Sequence, residues 1–402
     1  MTRKAYIIVF SASLVLLLSM GMRQSFGLFQ TPIAQAFGIG ITAFSLSLAI
    51  QNLLWGLSQP FIGAISDKFG SGRVIAVAGV FQVLGLLMLA NANEIWELHV
   101  STGIILGISG SGTTWAVMLS VIARNVPENR RTFFFGVGSS IGTGGQIFIA
   151  PLNQVSINMF GWVNALTILA IMIGVIVPLA FLLKGKSGDG VAAGKEQAVS
   201  LLQTLDNARR HSGYLFLIAG FFVCGFQVMF IMAHLPNYLL TLDMPAWLPG
   251  TAISTIGVTN LAGTFLFGYL GDRYSKKYLL STLYFLRAVT FSIFLMVPIS
   301  TTSVLVFCFA IGFLWLATVP LTNALVGQLF GLRYLATLAG VVFASHQLGS
   351  FSSIWLGGRL FDATGSYDLV WQIAIALGII AALLHMPIKE TPMQPAKVPT
   401  AE

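Results

Sequence analysis

Four ionisable side chains stand inside long apolar runs of this sequence: Arg23, His234, Arg287 and His346. A charged side chain at the centre of a bilayer costs about 2.5–3.5 kcal/mol or more, so such residues are rare there and usually functional. The set is cationic or neutral, and no Asp or Glu falls near the middle of an apolar run. Because an arginine can hold a carboxylate through two parallel hydrogen bonds, this set favours an anionic ligand.

Polar side chains at a similar depth are candidates for the rest of a substrate-binding layer. Counted at about 1.5 Å per residue, Arg23 falls in the outer half of its predicted helix and His346 near the midplane. We expect the layer to include Gln51, Asn52, Gln146, Gln227, Gln347 and Arg287. Neighbouring residues that could line or wall the same layer are Thr113, Thr114, Asn260, Trp115 and Trp315.

Each of these candidates also has a structural interpretation. Arg23 could extend its charged end to the membrane interface, and Arg287 could form a bond between helices. His346 could carry a proton or be a neutral helix contact, and the amides are often hydrogen bonds between helices. His234, shortly before Pro236, is predicted as a gate contact.

The composition decides what kind of chain positions these residues. Charged residues make up 8%, hydrophobic residues 56%, and the mean hydropathy is +0.86. An ordinary soluble domain is about 25% charged, so a soluble enzyme, a disordered chain and a nucleic-acid-binding domain are excluded. Cys224 and Cys308 lie within apolar runs and provide neither a disulfide framework nor a Cys-x-x-Cys metal site. No cofactor or metal is expected.

The apolar residues form runs long enough to cross a bilayer, which takes about 20 residues in a helix. An all-α membrane protein with twelve transmembrane helices is predicted. The runs are 5–34, 42–66, 73–92, 97–123, 132–157, 161–184, 213–240, 248–271, 278–298, 303–330, 335–359 and 368–388.

Basic residues alternate between the predicted loops. Of the 21 lysines and arginines, 18 fall on one side of the predicted membrane, while the opposite loops hold mainly acidic residues. Under the positive-inside rule this places both termini on the cytoplasmic side of the membrane. We expect that membrane to be a cell inner (plasma) membrane. The net charge of +8 then comes from basic loops on one side of the lipid bilayer. No nucleic-acid partner is expected.

A loop motif occurs twice. Residues 63–70 read Gly-Ala-Ile-Ser-Asp-Lys-Phe-Gly, and 268–274 read Gly-Tyr-Leu-Gly-Asp-Arg-Tyr, 205 residues further on. Two parallel halves of six helices are one way that transporters are built. The predicted organisation is a first bundle over 1–184, a cytoplasmic linker with a surface helix over 185–212, a second bundle over 213–388 and a tail over 389–402.

With this motif and the span count, the chain resembles the major facilitator superfamily over essentially its whole length. The first loop is similar to the signature loop of that family but has Ser71 and Gly72 where basic residues are usual. In the family, the loop helps to latch the cytoplasmic side through charge pairs. The resemblance implies that role for Gly63, Asp67, Lys68, Gly268, Asp272, Arg273 and Arg124.

A finer resemblance is to the monocarboxylate-porter-like and oxalate/formate-like branch. It is carried by residues 21–29, 224–236 and 346–349. In that branch a basic residue in the first span and an arginine in the second half serve the substrate carboxylate, which implies such roles for Arg23 and Arg287. The Asp-x-x-x-Arg pairing of the branch is absent, because Leu283 stands four residues before Arg287.

We therefore expect a monomeric secondary transporter of small organic anions, most of all monocarboxylates, that works by alternating access. Proton symport and anion exchange both remain open. Two alternatives are an exporter of drugs or metabolites with the same fold, and a membrane sensor or scaffold without transport. A membrane-embedded enzyme is disfavoured, because the sequence offers no acid/base pair, nucleophile triad or metal-ligand cluster.

Overall fold

A computed structural model of the chain describes residues 3–127, 131–183, 201–331 and 335–391. All regular elements in this part are helical. The first group comprises α1 (Arg3–Ser25), a 3₁₀ turn (Phe26–Phe29), α2 (Gln30–Phe37), α3 (Ile41–Phe69), α4 (Ser71–Ala90), α5 (Ile95–Leu98), a π-helical segment (His99–Ile105), α6 (Leu106–Gly110), a 3₁₀ turn (Ser111–Thr113), α7 (Trp115–Asn125), α8 (Arg131–Gly174) and α9 (Ile176–Leu182). The second group follows the short helix α10 (Leu201–Arg210) and comprises α11 (Ser212–Thr241), α12 (Leu248–Arg273), α13 (Lys276–Met296), α14 (Thr301–Phe313), α15 (Thr318–Phe330), α16 (Leu335–Thr364) and α17 (Asp368–His385).

The helices of the described residues can be grouped into twelve passages, which is consistent with the predicted twelve spans. Gly161, at φ 79°, divides α8 into the predicted fifth and sixth passages, because glycine adopts positive φ without steric cost. Nine stretches of the described residues are long and apolar enough to cross a membrane, and the stretch Ser140–Leu182 holds two predicted spans. The other two predicted spans are the interrupted helix from Ile95 to Asn125 and the helix α16.

Two pairs of glycines lie at close helix crossings. A Cβ on Gly145 of α8 would overlap the Leu17 carbonyl and contact the Gly21 amide of α1, and a Cβ on Gly349 of α16 would overlap the Phe222 carbonyl of α11. Gly225 in α11 likewise faces the backbone of α16. Gly225 and Gly349 lie 204 residues after Gly21 and Gly145. The internal repeat therefore extends from the loop motifs into the packing of the two six-helix bundles.

The two bundles join where α3 packs on α16 and α8 packs on α12. At one end, the Asp362 carboxylate of α16 accepts hydrogen bonds from the backbone N–H of Ile41 and of Thr42, at 2.9 and 2.8 Å, and from the Thr42 hydroxyl. A carboxylate at a helix N-terminus satisfies free N–H groups and the helix dipole. We call this end, marked by Ile41, Thr42 and Asp362, the closed end. Thr31 and Asn237 bond across it as well, at 2.6 Å.

Away from the closed end, the four helices of this junction carry glycines with open space beside them. Gly63, Gly144, Gly268 and Gly340 lie on the four helices of this junction, and no heavy atom is within 4 Å of the position that a Cβ would take. Helices that are bonded at one end and open at the other are a geometry suited to rocking of one bundle against the other.

Removing the cap at the closed end is expected to loosen it. Loss of an N-cap side chain costs about 0.5–2 kcal/mol, so Asp362→Ala should raise the open fraction of the closed end by roughly 2- to 30-fold. The readout is thiol labelling of a Ser45→Cys variant of the purified protein. Ser45 is buried next to Gly358 of α16, and the native cysteines Cys224 and Cys308 are buried.

Asp368→Ala is the matched control, because this acidic residue is exposed in the first turn of α17, near the same end. It should leave the labelling rate unchanged. Equal rates in the Asp362→Ala and Asp368→Ala backgrounds would show that the cap does not hold this end.

Candidate functional site

A small cavity of about 10 Å³, room for about one water molecule, lies inside the first bundle. Its wall comes from α1, α3, α4 and α6, and consists of Ser19, Met20, Met22, Arg23, Gln51, Trp55, Gln82, Leu106 and Gly110. The predicted residues Arg23 and Gln51 are thus brought together, but on one side of the junction and not evenly between the bundles.

Arg23 carries the charge of the cavity. The side chain is half-buried, and its Nη2 donates to Asn52 Oδ1 of α3 and approaches Met229 Sδ of α11 at 3.9 Å. The guanidinium lies over the Trp55 ring, 4.0 Å from the ring centroid, in a cation–π contact. No carboxylate of the described side chains forms a salt bridge with it. The site therefore presents a positive charge whose partners are all neutral.

The backbone after Arg23 explains how the charge reaches the junction. The α1 helix tightens into the 3₁₀ turn Phe26–Phe29, and Gly27 in this turn lies against the Met232 carbonyl of α11, where a Cβ would overlap it. Glycine thus allows the end of α1 to touch the second bundle. Asn153 of α8 supports the same region by donating to Ser25 Oγ at 2.7 Å.

Asn52 and Gln347 connect the cavity with the second bundle. Asn52 Nδ2 donates to the Leu48 carbonyl at 2.9 Å, which leaves Oδ1 to accept from Arg23. The Asn52 carbonyl accepts from Gln347 Nε2 of α16 at 2.5 Å. The next contact is with His346, whose Nδ1 lies 3.0 Å from Gln347 Oε1 and whose ring stacks on the Phe343 ring. A chain of hydrogen bonds thus runs from the guanidinium to the imidazole.

Gln146 and Gln227 bond elsewhere. Gln146 Nε2 donates to the Ile253 carbonyl of α12 at 3.0 Å, in the α8–α12 part of the junction. Gln227 Nε2 donates to the Ala374 carbonyl of α17 at 2.9 Å, within the second bundle. Each leaves its Oε1 buried without a hydrogen-bond partner. In this arrangement both residues join helices, and neither lines the cavity.

Arg287 is fully buried in the second bundle, away from the cavity. Its Nε and Nη2 donate to the Leu314 carbonyl at 3.1 and 2.7 Å, Nη2 also reaches the Trp315 carbonyl, and Nη1 lies 3.5 Å from Cys224 Sγ. Leu314 and Trp315 form the break between α14 and α15, where carbonyls lose their helical partners. The guanidinium therefore donates to the free carbonyls of a helix break. This fits the interpretation of Arg287 as a structural bond between helices.

His234 is buried at the closed end. Its Nε2 is 2.8 Å from the Ile354 carbonyl and its Nδ1 is 3.2 Å from the Tyr367 hydroxyl, which also accepts from Asn237 Nδ2 at 2.7 Å. Because Asn237 bonds to Thr31 of the first bundle, His234 is connected to a contact between the bundles. This position fits the predicted gate contact, which stays a prediction.

The predicted latch residues lie at the opposite, open end. Lys68 lies near the Phe69 ring and Arg273 over the Tyr269 ring, with centroid distances of 5.3 and 4.3 Å. Asp272 is exposed, and the side chains of Asp67 and Arg124 are outside the described part. The latch stays a prediction.

Trp55, Gln82 and Ser19 line the cavity and were missed in the sequence. The predicted walls, Trp115 and Trp315, are not part of the lining. A signal for Gln82 was present, because it is the one amide side chain among the apolar residues of 74–90. Nothing in the sequence singles out Trp55, because its position in the cavity wall depends on which face of α3 is turned toward Arg23.

Helical passages in two pseudo-symmetric bundles, with a cationic cavity between α1 and α3, define a multi-pass membrane protein of the transporter type. The Major Facilitator Superfamily model matches residues 12–354 and again 250–401, and the chain belongs to that superfamily.

Named relatives and a solved structure agree with this assignment. YcxA, an uncharacterized MFS-type transporter of Bacillus subtilis (strain 168), is 26% identical over 380 residues, which cover 90% of each chain. Monocarboxylate transporter 11 of Mus musculus is 25% identical over 386 residues, covering 92% of this chain and 84% of its own. The crystal structure of a bacterial homolog to the human lysosomal transporter Spinster superposes with a TM-score of 0.79 at 12% identity, over 96% of this chain and 97% of that one. At this identity the superposition shows the fold alone.

Proposed function

We propose that this protein is a secondary active transporter of small organic anions, most of all monocarboxylates, with Arg23 as the contact for the carboxylate. Similarity to a protein named as a monocarboxylate transporter supports the substrate class. The proposal rests on one observation above all, which is the cation beside the cavity.

That observation is Arg23, whose neighbours in the described part are an amide oxygen, a thioether and an indole ring. A half-buried cation whose neighbours are all neutral lacks the compensation that buried charges usually have. A bound carboxylate would supply it through charge-assisted hydrogen bonds. Arg287, by contrast, is satisfied by backbone carbonyls, so we assign the ligand charge to Arg23.

The transport cycle would alternate between the arrangement described here and one with the closed end open. The anion would be accessible from the loose end, near Gly63 and Gly340, in the arrangement described here, and from the opposite side after the contact of Asp362 with α3 is broken. In this proposal the cytoplasm lies at the loose end, with the linker 185–212 and the tail 389–402, as the basic loops predict. Protons, if they are coupled, would travel on the solute or on His346.

The exporter of drugs or metabolites is a weaker interpretation of the same fold. Such a protein needs a large apolar pocket, whereas the cavity beside Arg23 is small and holds five polar side chains in its wall. The sensor or scaffold alternative is disfavoured by the membership in a transporter superfamily.

The proposal is tested by comparing three ligands of one shape on the purified wild-type protein. Propanoate is expected to raise the thermal unfolding midpoint in a concentration-dependent manner, because a ligand that binds the native state stabilises it. Propanamide and propylammonium, which lack the negative charge, should leave the midpoint unchanged. Equal stabilisation by the amide, or stronger stabilisation by the amine, would overturn the anion assignment.

A second measurement asks whether binding leads to transport. Proteoliposomes loaded with unlabelled propanoate are expected to take up the labelled acid faster than empty ones. Binding without uptake in either condition would favour the sensor alternative over the transporter.

A further inference from the structure

A chain of hydrogen bonds joins His234 to the first bundle at the closed end. Thr31 Oγ1 donates to Asn237 Oδ1 at 2.6 Å, and Asn237 Nδ2 donates to the Tyr367 hydroxyl at 2.7 Å. That hydroxyl lies 3.2 Å from His234 Nδ1, while His234 Nε2 lies 2.8 Å from the Ile354 carbonyl of α16. The imidazole is therefore the inner end of a contact that crosses between the bundles.

The partners of His234 assign its proton. A carbonyl can only accept, so Nε2–H donates to Ile354. The Tyr367 oxygen already accepts from Asn237, which leaves the hydroxyl hydrogen to donate to Nδ1. The closed end thus uses the neutral imidazole, with one nitrogen as donor and the other as acceptor. A second proton on Nδ1 would face the Tyr367 hydrogen and would place a charge on a fully buried ring that lies beside Phe230.

The carboxylate that caps α3 lies close enough for its charge to act on this ring. Asp362 interacts electrostatically with both His234 and Tyr367, and it stands about two turns after Ile354 on α16. In the closed arrangement the carboxylate accepts from the backbone N–H groups of Ile41 and Thr42. A positive imidazole would compete with those N–H groups for the same carboxylate.

The other ionisable groups around His234 are few. On the elements packed against it they are Tyr238 of α11, Arg359 of α16, Tyr367 before α17 and Asp368 of α17. Arg359 and Asp368 are exposed, and the charge of Asp368 acts on Tyr238. The 3₁₀ turn Phe26–Phe29 and helix α2 of the first bundle carry no ionisable residue. Among these groups, His234 is the one whose protonation both breaks the chain and attracts the cap.

We propose that His234 is a proton-binding site that controls the closed end: the neutral ring holds this end shut, and a proton taken from water at Nδ1 favours the open arrangement. The inference rests on the proposed alternation between two arrangements, and it does not depend on which solute is carried. In the protonated state Tyr367 loses its acceptor, so it no longer orients Asn237 toward Thr31. Asp362 is drawn toward the imidazolium and away from the N-terminus of α3.

The size of the effect follows from linkage. An imidazole that is open to water binds a proton with a pKa of about 6.5, whereas the bonded ring of the closed arrangement offers no free nitrogen. A ligand that binds one of two states increases the population of that state. Between about pH 7.5 and about pH 5, the open fraction should rise by roughly 30-fold if the closed arrangement takes up no proton.

The test measures thiol labelling of the Ser45→Cys variant at the two pH values, with no solute added. Each rate is divided by the rate of a Thr302→Cys variant, whose position is exposed, so that the pH dependence of the thiol itself cancels. The ratio is expected to rise by about tenfold or more on acidification. A constant ratio would overturn the proton site and leave the anion assignment intact. A lack of propanoate binding would overturn that assignment without changing this ratio.

His234→Gln, added to Ser45→Cys, keeps a neutral donor and acceptor but cannot take up the proton. It is expected to remove the pH response of the labelling ratio. The control is His99→Gln, because His99 is a half-buried histidine that contacts Ser47 of α3, with Nδ1 2.8 Å from the hydroxyl. It should keep the full response. A response that persists in His234→Gln, or disappears in His99→Gln, would overturn the role of His234. The measurement without these substitutions still decides whether the closed end responds to protons if His234→Gln does not fold.

Discussion

Arg23→Ala is expected to weaken carboxylate binding by on the order of a hundredfold and to reduce uptake accordingly. Truncating one partner of a buried, hydrogen-bonded charge pair costs about 2–5 kcal/mol, and here the lost partner is the cation of the cavity. Arg23→Lys keeps the charge but not the planar fork of donors, so an intermediate affinity is expected. Titration calorimetry with propanoate gives the affinities, and uptake into proteoliposomes gives the transport rates.

Arg359→Ala is the matched control for this pair of variants. Arg359 is an exposed basic residue of α16 and does not line the cavity. Its removal should leave the dissociation constant within about twofold of the wild-type value. If Arg23→Ala behaves like Arg359→Ala, the charge at position 23 does not hold the carboxylate and the proposed function loses its main support.

Replacement of Arg287 should affect stability far more than ligand binding. Arg287→Met leaves the carbonyls of Leu314 and Trp315 without their donors in a buried helix break. An unsatisfied buried acceptor costs about 1–3 kcal/mol, so we expect a loss of about 2–5 kcal/mol and a fall of several degrees in the thermal unfolding midpoint. Arg287→Lys should recover part of this loss, because an ammonium group can still donate to one carbonyl.

The same variants separate the two interpretations of Arg287. Arg273→Met removes an exposed arginine that lies over Tyr269 and should leave stability within about 0.5 kcal/mol. If Arg287→Met keeps the wild-type midpoint but loses carboxylate binding, the residue contacts the ligand, as the family resemblance implies, and the structural assignment is wrong.

The architecture was largely predictable from the sequence because a membrane restricts the choices. Without water to pair with the backbone, a long apolar run has to become a helix. The interruptions were not predictable. The break at Leu314 and Trp315 depends on Arg287, which arrives from another helix, and the one at Ser111–Thr113 lies beside Gln82. Such partners are set by tertiary packing, and hydropathy does not report on it.

The candidate site was predictable in part. An arginine within an apolar run indicated Arg23, and Gln51 and Asn52 followed from their depth in the next helix. Depth alone does not give the face of a helix, so Gln146 and Gln227 were grouped with Arg23 although they bond to other helices. Trp55 was missed for the same reason, because it meets Arg23 through helix rotation.

The 204-residue spacing of the crossing glycines has a consequence for the charges. Gln227 lies 204 residues after Arg23, and Arg287 lies 205 residues after Gln82. The first bundle has arginine on α1 and glutamine on α4. The second bundle has glutamine on the equivalent helix α11 and arginine on the equivalent helix α13. In the second bundle, Arg287 donates to the carbonyls at the helix break. In the first bundle, Arg23 lines the cavity. Of these two arginines only Arg23 lines the cavity. In the proposed cycle the anion would therefore stay with the first bundle while the second bundle moves relative to it.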